Sequence, residues 1–312
     1  MTHPGGCEIG PRPINLHLKA LRNMGAKVFD AQRGFIYCEA YQLKGCDIHL
    51  EYPSVGATEN IMLASVFAEG DTYIHNAAKE PEIVDLQEYL KRLGVEVSGA
   101  GTSVISIRGN SRKSKDIEHT VIPDRIVAST YATAAAITGG DILLKNVITE
   151  HINSVISVLK ECGCNVEVID KNAIRVRGSA RPMAVDMIRT LPYPGFPTDM
   201  QPQIVSLLSI AKGTSIVVET VFENRYRHVE ELLRMGANIK LEGRIAIIKG
   251  VDKLIGAEVC SRDLRGGAAL VLAGLVADGE TTITGLKHIE RGYENIENKL
   301  AQVGASIIRV DD

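Results

Sequence analysis

The chain has 312 residues, long enough for two domains. Its composition, 45% hydrophobic and 23% charged with no run of 18 apolar residues, suits a globular protein and excludes a membrane-crossing helix. A net charge of −3 with acids and bases interspersed argues against a nucleic-acid binder, and six scattered cysteines in so large a chain form no disulfide framework.

Residues 1–8 have neither a basic start nor an apolar stretch, so no signal peptide is expected and the cysteines point to a reducing cytoplasm. Cys162 and Cys164 lack His or Cys partners at zinc-finger spacing, and no metal or cofactor is implied. No G-x-x-x-x-G-K-S/T loop occurs, and Gly99-Ala100-Gly101 reads as a strand turn. The chain opens on a glycine-rich segment that holds Cys7, with Arg12 five residues on. Such a loop can expose a thiol, and a nearby cation would lower its pKa; a free cysteine is also commonly a small packing residue.

Two phrases then alternate along the chain. The first is an amphipathic helix, a glycine and a strand, beginning at Leu21-Arg22-Asn23-Met24-Gly25-Ala26 and returning around Gly94, Gly163, Gly236 and Gly304, at intervals of about seventy residues. Each glycine suits the left-handed position that closes a helix. Glu80-Pro81-Glu82 opens one such helix, and Ile83, Leu86, Leu90 and Leu93 form its apolar stripe. The second phrase is a helix rich in small residues, such as Tyr131-Ala132-Thr133-Ala134-Ala135-Ala136, then a glycine turn near Gly70, Gly140, Gly213 or Gly279 and an alternating strand. The period exceeds that of common solenoids and predicts a globular pseudo-symmetric α/β fold. Ser54-Val55-Gly56, Pro123-Asp124-Arg125, Thr198-Asp199 and Asp263-Leu264-Arg265 are expected where helices of the second class begin. Helix starts present free N–H groups and a partial positive charge, suited to phosphate or carboxylate; Ser, Thr and Asp there are also ordinary caps. Arg265 at such a start opposes the helix dipole, which favours a functional role for it.

Several segments carry a resemblance: His3-Pro4-Gly5-Gly6-Cys7-Glu8-Ile9-Gly10-Pro11-Arg12-Pro13, Ser54-Val55-Gly56-Ala57-Thr58, Asn76-Ala77-Ala78-Lys79-Glu80-Pro81-Glu82, Phe196-Pro197-Thr198-Asp199-Met200-Gln201, Phe222-Glu223-Asn224-Arg225, Asp263-Leu264-Arg265, and His288-Ile289-Glu290-Arg291-Gly292-Tyr293-Glu294. In this order they resemble the UDP-N-acetylglucosamine 1-carboxyvinyltransferase family over essentially the whole chain.

The resemblance implies a two-domain inside-out α/β barrel of repeated βαβαββ units (the enolpyruvyl transferase fold), with its first domain incomplete. It implies an incomplete domain carrying the Cys7 loop at residues 1–122 and a second domain at 123–312. About the first 110 residues of the family pattern are not matched, so a separate N-terminal segment is a candidate partner. It further implies transfer of enolpyruvate from phosphoenolpyruvate to the 3-hydroxyl of UDP-N-acetylglucosamine with release of phosphate, the first committed step of peptidoglycan synthesis. The implied catalytic residues are Cys7, Asp199, Arg265 and Arg291. Cys7 would protonate the methylene carbon and be the target of fosfomycin, Asp199 would accept the sugar hydroxyl proton, and Arg12, Arg265 and Arg291 would hold phosphoenolpyruvate. Arg12, Pro13, Ile14, Asn15, Leu16, Ser54, Val55, Gly56, Asp199 and Val221 would form the UDP-sugar site, with Arg125 and Arg225 as further cleft arginines. Two positions depart from the pattern: Tyr52 stands where the family usually has lysine, and Asn15 where it usually has aspartate. They leave open a degenerate or truncated paralogue that binds a UDP-sugar without turnover.

Overall fold

The computed structural model describes residues 9–10, 13–31, 35–110 and 116–310. Cys7 and Arg12 lie outside them. The chain divides into two compact units between Ile122 and Pro123, with Ile9 and Gly10 belonging to the second.

The first unit begins with α1 (Asn15–Asn23) and a hairpin of β1 (Lys27–Ala31) and β2 (Phe35–Glu39). There follow β3 (Asp47–His49), α2 (Val55–Ser65), β4 (Asp71–His75), α3 (Pro81–Arg92), β5 (Glu96–Ser98) and β6 (Val104–Arg108). These four strands form one sheet in the order β3-β4-β6-β5, with β3 parallel to β4 and the other pairs antiparallel.

The second unit contains α4 (Arg125–Thr138), β7 (Asp141–Lys145), α5 (Asn153–Glu161), β8 (Asn165–Asp170) and β9 (Ala173–Arg177), then β10 (Met187–Arg189), α6 (Gln201–Leu208), β11 (Thr214–Val218), α7 (His228–Arg234), β12 (Asn238–Glu242) and β13 (Ile245–Lys249). It ends with β14 (Leu254–Ile255), β15 (Glu258–Cys260), α8 (Leu264–Gly274), β16 (Ala277–Asp278), β17 (Thr282–Thr284) and α9 (Ile296–Gln302). The sheet β10-β11-β13-β12 repeats the topology of the first unit's sheet, and β7-β9-β8 repeats three of its strands. The last repeat pairs β15 with β17 in parallel, and no strand hairpin follows α9 among the described residues. The fold is mixed α/β, and no sheet closes on itself among the described residues.

Both helix classes take the form their residues predict. At Gly25, Gly94, Gly163, Gly236 and Gly304 φ lies between 85° and 98°. Each time the glycine N–H bonds back three residues and the next N–H bonds back five, as in Gly163 N to Lys160 O (2.9 Å) and Cys164 N to Leu159 O (3.0 Å). These are Schellman closures, in which a side chain at the left-handed position would be strained. They turn the chain from each amphipathic helix into the next strand.

The small-residue helices make the interior. All eight residues of α6 are buried, as are most of α4 and α8, and the three helices pack on one another. In α4 and α8, Ala, Gly and Ser let the helix backbones approach closely, whereas α6 has no Ala or Gly and fills the space with Ile204, Val205, Leu207 and Leu208. The alternating strands cover the helices with one face, as in the buried Ala246 and Ile248 of β13. In the first unit α2 is the corresponding helix, and it leaves Leu63 47% exposed.

Candidate active site

Three of the expected helix starts are capped by the residue itself. Ser54 Oγ accepts from Ala57 N at 3.3 Å. Asp124 Oδ1 accepts from Ile126 N and Val127 N at 2.8 and 2.9 Å. Asp263 Oδ1 accepts from Arg265 N and Gly266 N at 3.1 and 2.9 Å. The fourth differs. Thr198–Met200 is a single 3₁₀ turn ahead of α6 and makes no side-chain cap. Its two polar side chains are drawn elsewhere, Thr198 to Glu219 and Asp199 to two arginines.

Asp199 is the centre of the cluster in the second unit. Its Oδ1 accepts from Arg225 Nη2 at 2.6 Å, and Arg265 Nη2 lies 3.6 Å from Oδ2. Arg225 is only 2% exposed, Arg265 12%, and the Asp199 side chain 40%, so the carboxylate faces solvent from a wall of cations. Desolvation pulls the Asp199 pKa up, but Arg225, Arg265 and Arg125 together outweigh it and hold it below the ordinary carboxylate value. The carboxylate is therefore ionised at neutral pH and can only accept protons. Burial alone would lower the Arg265 pKa, but Tyr293 and Asp199 raise it overall and the guanidinium stays charged.

Each arginine has an aromatic support. The Arg225 guanidinium lies over Phe222 (5.6 Å), Arg265 over Tyr293 (5.4 Å) and Arg125, at the start of α4, over Tyr193 (5.8 Å). Tyr293 is 1% exposed, and its hydroxyl meets Thr130 Oγ1 (2.9 Å) and Gln203 Nε2 (3.2 Å), which ties the arginine's platform to α4 and α6. Arg265 Nη1 and Arg225 Nε are buried without a hydrogen-bond partner among the described residues. Arg291, two residues before Tyr293, is exposed; Val221 lies half-buried in the loop between β11 and Arg225.

The first unit brings its own two motifs together. His17 of α1 packs on the start of α2, where a Cβ on Gly56 would meet His17 Nε2 at 3.3 Å. This contact joins the first turn of α1, which Asn15 opens, to the first turn of α2, which Ser54 caps. Burial lowers the His17 pKa, partly offset by a bond to the Gly56 backbone, so the ring is neutral. Tyr52 is 41% exposed, and its carbonyl accepts from Ser54 N at 2.7 Å.

Sequence reasoning did not single out His17, Tyr293, Glu219 or His228. His17 adjoins the recognised segment that ends at Leu16, and Tyr293 lies within the segment from His288 to Glu294, so their place beside or inside a motif was the available signal. Glu219 and His228 carry none in the sequence, because their partners are separated in the chain.

The family model for EPSP synthase (3-phosphoshikimate 1-carboxyvinyltransferase) matches residues 1–300. The UDP-N-acetylglucosamine 1-carboxyvinyltransferase 2 of Caldanaerobacter subterraneus subsp. tengcongensis is 56% identical over 310 residues, 99% of this chain and 74% of that protein. The UDP-N-acetylglucosamine 1-carboxyvinyltransferase 1 of Carboxydothermus hydrogenoformans is 54% identical over 308 residues, covering 99% and 72%. Among solved structures, the enolpyruvyl transferase NikO from Streptomyces tendae superposes with a TM-score of 0.86 at 22% identity, covering 96% of this chain and 73% of its own. EPSP synthase from Acinetobacter baumannii superposes with 0.71 at 23% identity, covering 95% and 72%. The shared fold, the ordered motifs and the identity along the whole chain agree: the chain belongs to the UDP-N-acetylglucosamine 1-carboxyvinyltransferase family of enolpyruvyl transferases.

Proposed function

We propose that the chain transfers enolpyruvate from phosphoenolpyruvate to the 3-hydroxyl of UDP-N-acetylglucosamine and releases phosphate. The observation that carries this reading is the Asp199 carboxylate, held ionised against Arg225 at 2.6 Å and Arg265 at 3.6 Å. A reaction between a neutral hydroxyl and a multiply charged anion needs a proton acceptor beside anion-binding donors, and this cluster supplies both.

The sugar oxygen attacks C2 of phosphoenolpyruvate while the methylene carbon takes a proton from Cys7. The tetrahedral adduct then loses phosphate by cleavage of the bond between C2 and the phosphate oxygen, and the Cys7 thiolate takes back a methyl proton as the double bond is restored. Asp199 is a weak base because its pKa is lowered. It takes the hydroxyl proton as the new C–O bond forms, when that proton becomes acidic. Phosphoenolpyruvate arriving on Arg265 and Arg291 draws the guanidiniums toward its own charges and leaves Asp199 a better acceptor. Arg125 and Arg225 add to the positive field, and Arg12 belongs with the arginines that hold the carboxylate and phosphate. Pro13, Ile14, Asn15, Leu16, Ser54, Val55, Gly56 and Val221 are assigned to the UDP-sugar. The free N–H groups at the head of α2 suit its diphosphate in place of the lysine that Tyr52 replaces.

The identity to curated relatives favours this transferase over a non-catalytic paralogue. We place the reaction in the cytoplasm as the first committed step of peptidoglycan synthesis, hence in cell-wall growth and division. No helix among the described residues is long and apolar enough to cross a membrane.

The chain spans about three quarters of the length of its curated relatives. The test is phosphate release dependent on both substrates, from the chain alone and with the N-terminal quarter of a relative supplied fused or as a second chain. Release in the supplemented protein that disappears on Asp199→Asn supports the reading. Absence of release in both preparations refutes it.

A further inference from the structure

A buried carboxylate that the proposed chemistry does not use lies beneath the Asp199 cluster. Glu219 follows β11 directly and is 1% exposed. Its Oε1 accepts from Thr190 Oγ1 (3.1 Å), Val221 N (2.7 Å) and Phe222 N (3.0 Å), and its Oε2 accepts from Thr198 Oγ1 (3.0 Å). Burying a carboxylate is costly unless its lone pairs are filled, and here four neutral donors from three segments fill them. Thr198 immediately precedes Asp199. Phe222 supports the Arg225 guanidinium from three residues away.

We propose that Glu219 is a positioning residue for the Asp199–Arg225 pair: one buried carboxylate, bonded to the turn that carries Asp199 and to the loop that leads to Arg225, sets the spacing between them. This rests on Asp199 being the proton acceptor.

The surrounding bonds leave the loop little freedom to compensate. Thr220 N donates to Thr190 Oγ1 (2.8 Å), and Thr220 Oγ1 donates to Thr190 O (2.5 Å). On the far side Glu223 pairs with Arg244, and Asn224 N donates to Ile9 O (3.0 Å). Ile9 is 3% exposed, and a Cβ on Gly10 would meet Glu223 Oε2 at 2.9 Å. The loop that Glu219 organises is thus also the seat of the segment two residues beyond Cys7. A carboxylate that only filled space would not need donors from both the turn and the loop. The division of its two oxygens between them makes its reach, more than its charge, the quantity that matters.

Three substitutions separate reach from charge. Glu219→Asp keeps the charge but is one methylene short of spanning Thr198 and the loop amides together. Glu219→Gln keeps the reach, with its amide oxygen on the loop N–H groups and its NH₂ donating to Thr198 Oγ1. Thr198→Val keeps the volume and deletes only the bond beside Asp199. The first readout needs no turnover: ¹³C titration of the Asp199 carboxyl in the full chain. In Glu219→Asp and Thr198→Val the arginine contact loosens, and the carboxyl titrates at higher pH than in the parent. In the supplemented protein, kcat of these two falls by ~10–10²-fold, the scale of a misplacement of about 1 Å, with the KM for phosphoenolpyruvate little changed, whereas Glu219→Gln stays within a few-fold of the parent. In an Asp199→Asn background Glu219→Asp lowers kcat no further. Parent-like titration in both Glu219→Asp and Thr198→Val, or an equal loss of kcat with and without Asp199, overturns the proposal. If the parent itself releases no phosphate, the transferase reading fails while the titration still decides this one.

Discussion

Asp199→Asn isolates the charge at the centre of the cluster, because it keeps the volume and one acceptor oxygen. Arg225, 2% exposed, loses the negative partner at 2.6 Å, and Arg265, 12% exposed, loses the one at 3.6 Å. Removing one member of a fully buried pair costs about 3–5 kcal/mol. The Asp199 side chain is 40% exposed, so solvent screens the pair, and asparagine still accepts from Arg225. About 1–2 kcal/mol is therefore expected. For a unit of this size that lowers Tm by roughly 2–8 °C. Turnover should fall by ~10²–10⁴-fold, the contribution of a positioned general base. The losses differ in their response to anions. Guanidiniums without an internal counter-charge bind phosphate or phosphoenolpyruvate more strongly, so added phosphate should raise Tm more in the variant than in the parent. Circular dichroism melts with and without phosphate, alongside phosphate release in the supplemented protein, measure both. Unchanged turnover would mean that another group takes the proton. An unchanged Tm with no larger response to phosphate would mean that Asp199 does not hold the arginines in place.

Fosfomycin should alkylate Cys7 ahead of the other cysteines, as peptide mapping by mass spectrometry would show. Burial raises the thiol pKa of Cys162 to about 12 and raises those of Cys164 and Cys46, so label mainly on the exposed Cys38 or Cys260 would contradict the assignment. His228 is 3% exposed, its Nδ1–H bonds to Arg225 O (3.2 Å), and burial, with Arg225 beside it, pushes its pKa down to about 4 despite the opposing pull of Asp263. With the folded pKa below the unfolded value, the unfolded state takes up the proton first, and stability falls as pH drops from about 6.5 to 4. That loss is at most about 3 kcal/mol. His228→Asn, which can keep the bond to Arg225 O, should flatten this part of the pH–stability curve; an unchanged curve rules the histidine out as its cause. Limited proteolysis should remove residues 1–122 first and leave a core beginning near Pro123. The first unit has the smaller buried cluster and exposes Phe29 (53%), Tyr37 (59%) and Phe67 (52%). Survival of the first unit with loss of the second would reverse that order.

Local chemistry made the repeat legible in the sequence. A Schellman closure needs glycine within a few residues of its own helix, so Gly25, Gly94, Gly163, Gly236 and Gly304 announce the period without any tertiary information. The same holds for Pro81 at the first position of α3 and for the caps Ser54, Asp124 and Asp263, whose partners lie two or three residues away. Asp199 and the arginines were found through matched motifs. Their convergence was decided by tertiary structure, because residues 199, 225 and 265 come from three segments brought together only when α6, α7 and α8 pack. It also turned the Thr198–Asp199 start into a 3₁₀ turn, since buried cations and the Glu219 carboxylate compete for its side chains more strongly than free helix N–H groups do. Glu219 itself looks like any strand-end acid in the sequence. Its role rests on hydroxyls 29 and 21 residues away, and a hydrogen bond across such separations leaves no periodic mark in the chain.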